Sequence, residues 1–172
     1  LPGVMYAQSI KYSAGEITER GFDYVKVIGQ DEEGAYVLLS NFPHSSSRDK
    51  VGFKIRKYKV AFYNFDLQRK WSIAIAAGSE QSIENVGFAC GKVLVIYSKQ
   101  KENNRVEYFL QWINSRGVSL GGNTKNFEIT YQRGSDYGKA EVTASTDKER
   151  IIVLLHEMTS NNRQLFHCAV TD

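Results

Sequence analysis

The chain has 172 residues, of which 42% are hydrophobic and 24% charged, with a net charge of +3. A chain of this length buries roughly 70% of its surface in one core, and the composition, typical of globular proteins, suggests neither disorder nor a membrane span. Its 22 basic and 19 acidic side chains are dispersed, which argues against a nucleic-acid partner, and its apolar runs, such as 93–97 and 151–155, fall far short of the about 20 residues a membrane-spanning helix needs.

In chain order, residues 1–7 end in Met5, Tyr6 and the small Ala7 and read as the remnant of an apolar export signal. Residues 8–22 form an N-terminal segment. A first unit occupies 23–76, with strands expected at 23–29, 35–40, 58–65 and 71–75. Strands rather than helices follow from 10 tyrosines and 9 phenylalanines punctuated by 14 glycines, with only 2 prolines, because aromatic and β-branched residues fit a pleated surface.

A second unit, 82–121, repeats the order with strands at 85–90, 92–98 and 106–113 and a weaker one at 118–120. A long loop is expected at 122–138, and a third unit at 139–172 offers strands at 139–145, 150–156 and 164–170 without a fourth. Gly34, Gly91 and Glu149 mark equivalent turns, 57 and then 58 positions apart. Short turns such as 30–34 and 146–149 make hairpins of the first two strands in a unit.

Consecutive four-stranded antiparallel meanders, about three with the last incomplete, resemble the blades of the β-propeller superfamily, particularly exported bacterial propellers. The segment Asn64, Asp66, Gln68 and Trp71 is similar in part to the Asp-box of sialidase-type propellers, which implies a turn closed by Asp66 over Trp71 and no catalytic residue. The second strands are apolar on both faces, with Val93, Val95 and Tyr97 on one and Leu94 and Ile96 on the other, so each must be covered on both sides. The end units of an open arc would each expose about five large side chains, costing roughly 10 kcal/mol. Further blades or a partner chain are needed to cover them, unless the units fold as a β-sandwich.

Motifs for chemistry are sparse. Gly117, Ser119 and Gly121 fit G-x-S-x-G, with Asp136 or Asp147 and His156 in a hydrolase order. No helix follows to present the serine, which reads as a strand residue. Between Gly87 and Gly91 the spacing is one short of a phosphate loop, and Val93 replaces its hydroxyl residue. Asp31, Glu32 and Glu33 lack the alternation of a calcium loop. His156 and His167 lie on strands and read as structural. Cys90 and Cys168 form either one disulfide or two small apolar side chains. No metal and no cofactor are expected.

Blade topology places the long connections, 41–54, 99–104, 121–138 and 157–162, on one face, and long loops on a rigid scaffold concentrate binding residues. That face offers His44, Arg48, Lys99, Lys101, Tyr131, Arg133, Tyr137 and Arg163. A basic and aromatic set of this kind suits an acidic protein surface or a glycan. The expected function is a non-catalytic interaction module, secreted, periplasmic or at the cell surface, binding a protein or carbohydrate. The alternative is a fragment of a glycan-acting propeller enzyme, a glycoside hydrolase or sialidase-like protein, for which no pair of carboxylates can be chosen.

Overall fold

Strand-forming sequence dominates the computed structural model, which describes residues 22–41, 57–133, 136–145, 150–161 and 163–171. Among these there is no helix, and eleven strands form three antiparallel sheets. The first sheet runs β1 (Asp23–Gln30), β2 (Gly34–Ser40), β3 (Tyr58–Asn64) and β4 (Arg69–Ile75) in chain order. The second follows with β5 (Ser82–Ala89), β6 (Lys92–Gln100), β7 (Arg105–Ile113) and β8 (Ser119–Thr130). In the third, β10 (Ile151–Met158) lies between β9 (Asp136–Ala144) and β11 (Gln164–Thr171).

Turn chemistry fixes the hairpins. Cys90 and Gly91 form a two-residue turn with φ of 52° and 70°, the backbone twist that matches paired strands. Asp31 caps the β1–β2 turn by accepting the Glu33 and Gly34 N–H groups at 2.9 and 3.0 Å, and the Tyr36 hydroxyl donates to its other oxygen at 2.5 Å. The acidic triplet 31–33 is thus a capped turn. Between the third and fourth strands the closing residue is Asn64, not Asp66: its side chain accepts the Gln68 N–H at 2.9 Å. Asn114 does the same in the second sheet, accepting from Arg116 and Val118 at 3.0 and 2.9 Å.

The three sheets are layered, and the middle one is covered on both sides. Val93, Val95 and Tyr97 join a cluster with Tyr36, Leu38, Val60 and Phe62 of the first sheet. Leu94 and Ile96 point the other way, into a cluster with Ile151, Val153 and Leu155 of the third. Sheet approaches sheet most closely along the first strands, β1 to β5 and β5 to β9. A Cβ on Gly29 would stand 2.2 Å from Phe88 Cγ, so only glycine admits that contact. At the far corner Trp71 reaches across: its ring stacks on Phe62 at 5.8 Å and its indole N–H donates to the Ser115 carbonyl at 2.8 Å. Gly117, at φ +74°, leaves room for that ring, since a Cβ there would lie 2.9 Å from it.

Three sequence expectations need correction. The long loop at 122–138 is absent, because β8 continues to Thr130 and β9 begins at Asp136; the polar, glycine-containing start of β8 hid a strand that pairs with β7. The connection expected at 99–104 is a tight hairpin turn, since β6 extends to Gln100, and the one expected at 157–162 is shortened, since β10 extends to Met158. Asn103 and Asn104, with φ of 59° and 56°, supply the left-handed backbone for the first of these. Finally, Gly34 is equivalent to Lys92 and not Gly91: Val27 pairs with Val37, Val86 with Val95 and Val142 with Val153. The second strands therefore recur at 58 and 58 positions. A one-residue slip exchanges the two faces of a strand, so this offset decides which residues meet.

Cys90 and Cys168 are both free, and Cys168 is exposed. The segment 1–7, most of 8–22, His44 and Arg48 lie outside the described residues.

Candidate functional site

Alternating strand direction collects the β2–β3, β6–β7 and β10–β11 connections with the β4–β5 and β8–β9 connections at one end of the sheets. One hydrogen bond ties two of these connections together: the Gln132 backbone N–H in the β8–β9 connection donates to the Glu157 carboxylate at the end of β10. Both junctions between sheets reach this end, and the first of them is open.

At the mouth between the first and second sheets, β6 ends by presenting Lys99 and Lys101. The Lys99 ammonium contacts the Glu80 carboxylate of the β4–β5 connection, and Lys101 lies 3.4 Å from Glu107. The hydrogen bond from Lys99 holds the Glu80 carboxyl below its ordinary range, and Glu80 in turn raises the Lys99 ammonium. Glu80, Lys99, Gln100, Lys101 and Glu102 line an open depression of about 550 Å³. Behind it, Lys125 bridges Glu107 and Glu128 at 3.7 and 3.3 Å, and Arg105 lies 3.7 Å from Glu128. These charges cross-link neighbouring strands, so the exposed pairs contribute little stability each.

The junction between the second and third sheets is built around a buried acid, Glu157. Glu157, 1% exposed, accepts the Gln132 N–H at 2.7 Å on one oxygen and faces His167 Nε2 at 2.7 Å on the other. The Tyr131 ring stands edge-on to His167 with centroids 5.2 Å apart, and its hydroxyl shares a 2.6 Å hydrogen bond with that of Tyr108. Burying a carboxylate is tolerated only when its lone pairs are met, and here the strand-end connection itself meets one of them.

The structure therefore sorts the predicted residues. Lys99 and Lys101 come together at one mouth. Tyr131 is 3% exposed, a core group and not the surface ligand expected, because the strand before it places it under the second junction. Arg133 and Arg163 are exposed near that junction, and Tyr137 lies on β9 opposite Glu157 in the register. Ser119 opens β8, and its hydroxyl accepts the Gln111 side-chain N–H at 2.7 Å, a strand position as read from the sequence.

Sequence reasoning missed Glu157 and Tyr108. The signal was present: Glu157 follows Ile151, Val153 and Leu155 at strand spacing, which points an acid into the core. Among the described residues no group of three or more His, Cys, Asp or Glu is arranged to hold a metal ion, and no helix is long and apolar enough to cross a membrane. No family model, curated protein or solved structure matches the chain.

Proposed function

We propose that this chain is an exported interaction module of propeller-like blades, non-catalytic, which holds an acidic protein surface or a glycan at its connecting-loop end. The blade reading is supported by chain-order meanders whose first strands approach one another most closely, as strands lining a central axis do. The observation that carries the binding reading is the open, charged depression at the first junction. At the opposite end the described turns are closed by the Asp31, Asn64 and Asn114 caps and by Trp71. Export rests on residues 1–7 alone.

A glycan-cleaving role is less well supported. Its general acid needs a raised pKa, whereas Lys99 lowers that of Glu80, and both oxygens of Glu157 are engaged inside the protein. The test is calorimetric titration with polygalacturonate at low salt, using the Lys99→Ala/Lys101→Ala double variant and Arg133→Ala. The double variant is expected to weaken binding at least about tenfold. Equal affinity in both variants would show that this end is not the binding face. Release of reducing ends that disappears in Glu80→Gln would establish the enzyme instead.

A further inference from the structure

The first two sheets each end in a fourth strand, which the third sheet lacks among the described residues. In the first, β4 pairs with β3 and sets Ile75, Ile73 and Trp71 opposite Tyr58, Val60 and Phe62. In the second, β8 pairs with β7 and sets Phe127 opposite Tyr108 and Leu120 opposite Trp112. Register makes Phe166, Cys168 and Val170 of β11 the counterparts of Tyr58, Val60 and Phe62. Ser40 pairs with Tyr58 as His156 does with Phe166, Leu38 with Val60 as Leu154 does with Cys168, and Tyr36 with Phe62 as Ile152 does with Val170. Val60 and Phe62 are 0% and 4% exposed, whereas Phe166 and Val170 are 58% and 60% exposed and Cys168 is exposed as well.

Among the described residues β11 pairs with β10 alone, and the direction of its backbone groups follows from the hairpin. The Thr159 N–H donates to the Arg163 carbonyl at 2.9 Å, and bonding alternates along an antiparallel pair. Residues 165, 167 and 169 therefore bond to β10, while Phe166, Cys168 and Val170 aim their N–H and C=O groups away from it. The parity is that of the first sheet, where the Asn64 N–H donates to the Gln68 carbonyl at the turn into β4. Sheet edges are ordinarily blunted by charge, proline or a bulge. Each other edge strand of the described sheets carries charge: β1 has Asp23 and Lys26, β4 Arg69 and Lys70, β5 Glu84, β8 Lys125 and Glu128, and β9 Asp136, Lys139 and Glu141. β11 has no Asp, Glu, Lys, Arg or Pro, and its 8 residues pair with β10 without a register shift.

We propose that the outer edge of β11 is a strand-addition site, taking an extended peptide antiparallel to β11 with apolar side chains at alternate positions opposite Phe166, Cys168 and Val170. In such addition main-chain hydrogen bonds supply affinity and the alternate side chains supply selectivity. The chemistry of the occupant is read from the two strands that fill the equivalent place. Ile75 and Phe127 stand where a side chain would oppose Phe166, and Trp71 and Leu120 where one would oppose Val170, so a large apolar residue belongs at both positions. The intervening residues are polar or small, as Lys70, Ser72 and Ala74 are on the exposed side of β4. This surface is separate from the charged depression at the first junction and does not rest on the ligand reading.

The test is fluorescence anisotropy of a labelled peptide with the β4 sequence, residues 68–76, titrated with the full chain. Saturable binding is expected. The same peptide with Ile73→Pro keeps its charge but loses a donor to the ladder, and should bind at least about tenfold more weakly. On the chain, Cys168→Pro removes an outward N–H, a change an edge strand tolerates, and should weaken binding at least about tenfold with unchanged far-ultraviolet circular dichroism. Phe166→Glu serves if the proline variant does not fold, since it sets a charge against Ile75 of the peptide and should weaken binding as much. Absence of saturation overturns the proposal, as does equal binding of the two peptides or undiminished binding by a folded Cys168→Pro chain. A dimer of the chain alone in analytical ultracentrifugation, dissociated by Cys168→Pro, would give the edge to a second copy and overturn it too. Polygalacturonate titration reports the ligand reading separately.

Discussion

Truncating two adjacent residues of β6 should injure two different cores. Val95 and Ile96 are both 0% exposed, yet Val95 packs with the first sheet and Ile96 with the third. Val95→Ala removes two methyl-sized groups, about 1.6 kcal/mol at ~0.8 kcal/mol each, and the cavity raises the loss to about 2–3 kcal/mol. Ile96→Ala removes three, about 2.4 kcal/mol, and with its cavity about 3–4 kcal/mol. At about 2–4 °C per kcal/mol for a chain of this size, the melting temperature should fall by roughly 4–12 °C and 6–16 °C. Val118→Ala, at a side chain 50% exposed, should stay within about 0.5 kcal/mol. The assay is urea unfolding followed by tryptophan fluorescence, with both single variants and the double. Because the two side chains share no core, the losses should add to within about 0.5 kcal/mol. A cost below about 1 kcal/mol for either single variant would mean that one face of β6 is not covered, and the layered architecture would fall with it.

Two further outcomes concern polar groups. Glu157→Leu leaves the Gln132 N–H and His167 without their acceptor and should cost about 3 kcal/mol, while Glu157→Gln keeps one acceptor and should cost less; equal stability of both variants with the parent, by urea midpoint, would remove this acid from the account. Burial alone would raise the Asp31 carboxyl, but the Tyr36 hydroxyl and two backbone N–H groups outweigh it and lower the carboxyl below its ordinary 3.8. Stability from this cap is complete above that value and is lost as pH falls through the lower folded one, so Asp31→Asn should flatten part of the acid limb of a stability–pH curve, and an unaltered limb would refute the assignment.

Much of the architecture was legible because it follows from side-chain alternation. Val93 to Tyr97, apolar at every position, could only belong to a strand covered on both sides, and the two clusters divide it by parity as that argument requires. What escaped was decided by pairing partners distant in sequence. Gly121, Gly122 and Asn126 read as loop chemistry, yet β7 supplies an edge that draws residues 119–130 into a strand, with the Asn126 side chain accepting the Leu110 N–H at 2.7 Å. Asp66 looked like the turn residue because it matched a partial motif; Asn64 closes the turn because its side chain, two positions earlier, reaches the Gln68 N–H. Of the candidate site, the lysines at the end of β6 were readable from strand length and charge. The buried Glu157 was readable from the same alternation but was missed, because the strand was ended one residue before it.

The same logic explains why turn residues were a poor ruler for the repeat. Hairpin turns differ in length from sheet to sheet, with two residues between β5 and β6 but six between β9 and β10, so aligning on a glycine carries that difference into the register. Cross-strand pairs do not suffer from this, since a pair fixes both the position along the strand and the face at once. Three valine pairs, Val27 with Val37, Val86 with Val95 and Val142 with Val153, hold their places while every connecting turn changes. The faces that stack sheet on sheet are thus set by pairs and not by linear motifs, which is why an aromatic residue at the start of the third strand, Tyr58, Tyr108 and then Phe166, can be recognised as one position even where its surroundings pass from buried to exposed.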